Sequence, residues 1–258
     1  YTMTISATDA ASNAATPVSN TAITYDNVAP TISSVTPATS STVNGGFSAA
    51  YTLSESVTSG TITFTQTGGT ADALTHTYNF APGDKTSGAH SITRTVLEAG
   101  FANSLVSGAI YTMTISATDA ASNAATPVVN TAITYDTTAP VISLVTPATS
   151  TSVNSSFSAN YTLSESVSSG TITFVRTGGT ADVHSPHTYT FAAIDRTIGT
   201  HSITGATLDA GFAKPLVDGT IYTMTVSATD TASNAATPVS NTAITYDTTA
   251  PVISLVTP

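Results

Sequence analysis

The sequence predicts an all-β chain of tandem seven-stranded Greek-key sandwiches, arranged as beads on a string. Three observations carry that prediction. Apolar and polar residues alternate with period two between clusters of Gly, Pro, Asn and Ser. Thr, β-branched and suited to a pleated surface, fills much of the room usually given to charge: charged residues are 8% of the chain, against roughly 25% in an ordinary soluble domain. The third is repetition. YTMTISATDAASNAATPVSNTAITYD opens the chain at Tyr1, returns with one change at Tyr111, and returns again with two at Tyr222.

The repeats set the organisation. A Pro-containing piece, YDNVAP at Tyr25 and YDTTAP at Tyr135 and Tyr246, marks the unit boundaries. Residues 1–25 then read as the C-terminal part of a preceding repeat, 26–135 and 136–246 as complete repeats, and 247–258 as the start of a following one. A unit of about 110 residues is large enough to hold its own core. It is too long for a solenoid repeat, which runs roughly 20–45 residues.

Within the first complete unit seven strands follow in order. Strand A falls near 30–37. Strand B, 47–55, puts Phe47, Ala49, Tyr51 and Leu53 on one face. Strand C, 61–67, turns Ile62 and Phe64 inward and ends at the Gly68-Gly69 pair. Strand D, 75–80, alternates His76, Tyr78 and Phe80. Strand E covers 89–95, and a short helical turn is expected within 96–106. Strand F, 110–117, aligns Tyr111, Met113, Ile115 and Ala117, and strand G, 129–135, aligns Thr131, Ile133 and Tyr135. One-faced alternation is what two packed antiparallel sheets need. With no Cys and no Trp, packing of Tyr51, Phe64, Tyr111 and Ile133 has to hold the sheets together.

Composition removes several function classes. No Cys means no disulfide framework, thiolate zinc site or cysteine nucleophile. Five basic residues against 15 acidic ones, a formal net charge of −10, rule out a nucleic-acid partner. No apolar run reaches the ~18–20 residues of a membrane span, and residues 1–25 lack the pattern of a signal peptide. An uncharged hydroxyl surface with sparse acids suits an extracellular wall or matrix.

The SATDAASNAAT end of strand F, followed by TAITYDTTAP, resembles the bacterial Ig-like repeats of very large secreted surface adhesins. Such repeats commonly carry a T-D-x-A-G-N turn and a D-x-T-A-P linker, and both pieces recur here. The resemblance implies an Ig-like sandwich, a cell-surface location and a part in adhesion. Ser12, Ser122 and Ser233 stand where that pattern has Gly, so Asn123 is expected to take the left-handed backbone position instead.

Topology turns the acids into a spatial expectation. In a Greek-key sandwich the B–C, D–E and F–G loops share one pole with the start of strand A. Asp26, Glu55, Asp84 and Asp119, with Asn123, therefore converge there in the first unit. Asp136, Glu165, Asp195 and Asp230, with Asn234, form the equivalent set in the second. Asp72 and Glu98, with Asp182 and Asp209 as counterparts, fall at the opposite pole, facing the linker from the preceding unit. Clustered carboxylates repel unless solvated, protonated or bridged by a cation, and oxygen-only ligands select a hard one, Ca²⁺ before Mg²⁺. Two readings stay open: calcium stiffening the joint between repeats, or ordinary turn capping by Asp and Asn.

His76 with His90, and His187 with His201, could pair on strands D and E as transition-metal ligands; the commoner reading is a surface or half-buried strand histidine. No catalytic constellation stands out, and the chain reads as a non-enzyme. The functional expectation is a rod-like spacer whose partners are neighbouring repeats of the same chain. The alternatives are a segment of a self-assembling filament or sheath contacting identical chains, and a spacer or carbohydrate-binding module of a secreted hydrolase.

Overall fold

A computed structural model describes residues 1–254; the last part of the expected fourth-repeat start, 255–258, lies outside the described residues. The chain divides into two units, Tyr1–Tyr135 and Asp136–Pro258.

The first unit opens with a hairpin of β1 (Met3–Ile5) and β2 (Val18–Asn20), in antiparallel register Met3↔Asn20. Its sequence is that of strands F and G, and its apolar residues Tyr1, Ile5, Val18 and Tyr25 are exposed. Then follow β3 (Ile32–Thr36), β4 (Thr42–Val43), β5 (Ser48–Leu53), β6 (Ser59–Gly69) and β7 (Thr75–Asn79). A 3-10 turn (Pro82–Lys85), β8 (Gly88–Thr93), helix α1 (Arg94–Gly100), β9 (Ala109–Thr118) and β10 (Val128–Tyr135) complete it. One sheet is ordered β3-β5-β8 and the other β4-β10-β9-β6-β7. The seven expected strands are all present. The added β4 pairs parallel with β10, Thr42 opposite Thr134, so the first strand changes sheets part-way.

The inward faces match the alternation. Ala49, Tyr51, Leu53, Ile62, Phe64, Tyr111, Met113 and Ile115 are all at or below 1% exposed and form one core. Each large one contributes about 1.5–3 kcal/mol through burial. Tyr51 stacks on Phe80 with ring centroids 4.9 Å apart. Gly60 is required beneath that stack, since a Cβ there would lie 2.2 Å from the Phe80 ring.

Strand G departs from expectation. Its register slips between Asn130 and Ile133, with Ala132 at φ 56. The bulge sends Thr131 out to solvent and brings in Asn130, whose amide donates to the Pro37 carbonyl at 2.7 Å. The helix also starts earlier than expected, at Arg94, and seats Leu97 in the core.

The second unit repeats the design: β11 (Ile142–Thr146), β12 (Ser152–Val153), β13 (Ser158–Leu163), β14 (Ser169–Gly179) and β15 (His187–Thr190). A 3-10 turn (Ala193–Arg196), β16 (Gly199–Thr204), helix α2 (Gly205–Gly211), β17 (Thr220–Thr229) and β18 (Val239–Tyr246) follow. Its sheets are β11-β13-β16 and β12-β18-β17-β14-β15.

Candidate metal centre

Strand registers put three loops at one pole. Ser59, the first residue of β6, lies opposite Thr118, the last of β9, and Thr61 lies opposite Asn79 at the end of β7. The loops after β5, β7 and β9 therefore open on the same end.

The turn after β9 builds itself from local contacts. Asp119 Oδ1 accepts the N–H groups of Ala121 at 2.9 Å and Asn123 at 2.8 Å, while Oδ2 accepts the Asn123 amide at 2.8 Å. Asp119 N–H donates back to the Asn123 carbonyl at 3.1 Å. The chain reverses at Ser122, which takes φ 71. The left-handed position thus belongs to Ser122 and not to Asn123, because Asn123 is committed to closing the loop. Asp230 and Asn234 form the same turn, with Ser233 at φ 70. Asp9 and Asn13 form it a third time within the opening hairpin, with Ser12 at φ 68. Burial pushes the Asp119 carboxyl upward, but the Asn123 side chain and the backbone N–H groups outweigh it and hold it below the usual carboxylate range.

Onto this turn the unit brings Asp26, from the segment ahead of β3, and Glu55, from the end of β5. One carboxylate oxygen from each of Asp26, Glu55 and Asp119 lies within 4.8 Å of the others. Asp136, Glu165 and Asp230 form the same triad in the second unit. Asn123 ties the first together by donating also to the Asp26 carbonyl at 3.2 Å, and Asn234 does so to the Asp136 carbonyl at 2.9 Å. Burial and the neighbouring Asp136 and Asp230 carboxylates raise the Glu165 carboxyl above its ordinary range. The triad is therefore a site of concentrated negative charge, with Asn123 and Asn234 as straps whose amide nitrogens face the carboxylates.

Asp84 and Asp195 do not join it. Their loops share the pole, but the Asp84 carboxylate turns onto Tyr78 Oη at 2.7 Å and Ala81 N–H at 2.9 Å. Asp195, 6% exposed, does the same with Tyr189 and Ala192. A buried phenol needs an acceptor and a 3-10 turn needs its first N–H satisfied, and one carboxylate serves both. The sequence signal for this was an Asp five residues after the strand end and six after a Tyr.

At the opposite pole the acids also turn inward. Asp72 accepts from Tyr111 Oη at 2.6 Å and meets His76 Nε2 at 2.7 Å, and Glu98 pairs with Arg94 on the same helix. His76 and His187 are 1% and 3% exposed, so neither is the surface or half-buried residue expected. Their partners are aspartates; His90 instead stacks on Tyr51 and meets the Thr86 carbonyl at 2.7 Å. Burial pushes the Asp182 carboxyl up, yet bonds from Tyr222 and His187 bring it down to about 2.

A three-stranded sheet packed on a five-stranded one, repeated in sequence, defines a tandem Ig-like sandwich protein. The chain belongs to the bacterial Ig-like domain (group 3) family, whose model matches residues 1–130. No curated protein matches it. Solved structures similar to it include the chicken CNTN1 FN1–FN3 domains, at 10% identity and a TM-score of 0.43, covering 90% of this chain and 70% of that one. The fibronectin(III)-like modules of Clostridium thermocellum CbhA are similar at 15% identity and TM-score 0.38, covering 85% and 94%. Rst D1-D2 is similar at 9% and 0.34, covering 85% and 100%.

Proposed function

We propose that this chain is a structural repeat segment of an extracellular bacterial surface protein, a spacer in cell adhesion, and that each complete repeat binds Ca²⁺ at its carboxylate triad. The observation that carries the metal reading is the gathering of Asp26, Glu55 and Asp119, from three separate segments, into one cluster that the second repeat reproduces. The donor set fits the ion: three carboxylates at a chain crossing form an oxygen-only, flexible site, as Ca²⁺ takes, and Mg²⁺ demands a tighter octahedron. Asp26 and Asp136 begin the segment that enters each repeat, so an ion held there restrains that segment against the sandwich. Adhesion as the setting rests on membership of the bacterial Ig-like family and on the hydroxyl-rich, charge-poor composition.

For an extracellular site with Kd of about 10⁻⁴–10⁻³ M, about 1 mM calcium stabilises by roughly 0.4–1.4 kcal/mol. Thermal unfolding of the whole chain with calcium and with chelator tests this. The expected result is a higher Tm in calcium, an effect removed by Glu55→Gln with Glu165→Gln. Superimposable melts would overturn calcium binding. Light scattering at high concentration tests the spacer role: a chain that stays monomeric supports it, and lateral association would favour a filament subunit.

A further inference from the structure

The pole away from the triads hides an ionisable cluster with no part in metal binding. His76 Nδ1 lies 2.9 Å from the Asn103 carbonyl oxygen, and Nε2 lies 2.7 Å from Asp72 Oδ2. In the second unit His187 meets the Lys214 carbonyl at 2.8 Å and Asp182 Oδ2 at 2.5 Å. A carbonyl oxygen only accepts, so Nδ1 must carry a hydrogen. The Tyr111 hydroxyl accepts the Val106 N–H at 2.9 Å and donates its own proton to Asp72 Oδ2, and Tyr222 does the same with Val217 and Asp182. The contact between Nε2 and the carboxylate then needs a hydrogen of its own, and a neutral imidazole has only one to give.

We propose that His76 and His187 are buried imidazolium ions paired with Asp72 and Asp182, and that the second ring proton latches segments 101–106 and 212–217 onto β7 and β15. Other charged groups on the surrounding elements are engaged elsewhere or stand outside the cluster. On α1, Glu98 pairs with Arg94 and with its other oxygen accepts the Leu105 N–H at 3.2 Å, a second tie on the 101–106 segment that is independent of the imidazole; on β7, Tyr78 donates to Asp84. Arg176 of β14 donates to the Gly179 and Thr180 carbonyls. His184 beside Asp182, Asp209 on α2 and the Lys214 side chain make up the rest in the second unit. The Phe101 and Phe212 rings pack over the imidazoles with centroids at 5.3 and 5.5 Å, which keeps water from substituting for a lost contact. When rising pH removes the second proton, two lone pairs face each other at either the carbonyl or the carboxylate, and the pair becomes a buried net anion. The segment then opens.

The test is nitrogen-15 NMR of the whole chain with labelled histidine rings. At about pH 7, His76 and His187 are expected to show two ring N–H groups each, and Asp72→Asn is expected to remove one from His76 while leaving His187 unchanged. Amide exchange, corrected for intrinsic rates, supplies the latch readout. Protection at Val106 and Val217, whose N–H groups donate to Tyr111 and Tyr222, should fall about ten-fold or more towards pH 10 while that of core amides such as Ile62 holds. A single ring N–H at neutral pH in the native chain overturns the imidazolium, as does an unchanged His76 in the Asp72→Asn variant. Unaltered protection at alkaline pH overturns the latch.

Discussion

Replacing Ser122 and Ser233 by Gly should stabilise both complete repeats without disturbing their metal sites. Each serine holds φ near 70 with its side chain exposed. A left-handed L-residue costs about 1–2 kcal/mol. Gly removes that cost but loses about 0.5–1 kcal/mol through its freer unfolded chain. The net gain is about 0.5–1 kcal/mol per repeat, or roughly 2–8 °C in Tm for a domain of this size. The contacts that shape the turn use Asp119 and Asn123 and the backbone, so the carboxylate cluster should keep its geometry. Calorimetry of the double variant in chelator reads the gain directly, and repeating it in calcium should give the same increment as in the native chain. Ser122→Ala with Ser233→Ala is the contrast, since Ala keeps the strain and should gain nothing. Gly variants melting at or below the native chain would refute the claim that the turn stores strain at this residue.

Other outcomes follow from the same geometry. Glu165→Gln should raise the Tm of the second repeat in chelator at neutral pH and abolish its calcium response, as seen by calorimetry. The folded state holds the Glu165 proton more tightly than the unfolded chain does, so the cost of ionising it grows as pH rises through its raised range, and the amide removes that cost. Gly60→Ala forces a methyl against the Phe80 ring and should cost about 1–3 kcal/mol, read as a lower urea midpoint. On the acid side, Asp72, Asp119 and Asp182 bind protons less readily when folded. Their stabilisation should be complete above the unfolded value of about 3.9 and be lost as pH falls, to about 2 for Asp182. Asp182→Asn should flatten that part of the acid unfolding curve; an unchanged acid limb would count against the assignment.

Alternation located the strands well because each faces water on one side and the core on the other, so burial writes itself into the sequence with period two. Thr131 broke the rule at a bulge, which inserts a residue and inverts the pattern beyond it. Strand β4 escaped notice because two residues, Thr42 and Val43, are too few to show a period. The triads were readable in part. Asp26, Glu55 and Asp119 followed from loop polarity, whereas Asp84 reached the correct pole and then turned to Tyr78. Loop topology says where a backbone goes; the acceptor a carboxylate finds there depends on its neighbours.

The Asp-to-Asn turn lies wholly within the sequence's reach. It closes through atoms at most four residues apart, and it forms at Asp9, in a lone exposed hairpin, as it does at Asp119 and Asp230. Which acids meet is a different matter. Asp26, Glu55 and Asp119 meet only after strand registers have been set, and the imidazole of His76, with Asp72 four residues behind it, finds Asn103 only once β7 and α1 have packed. Local chemistry is decided by covalent neighbours, while long-range encounters wait on the burial of apolar faces that brings distant segments to one place.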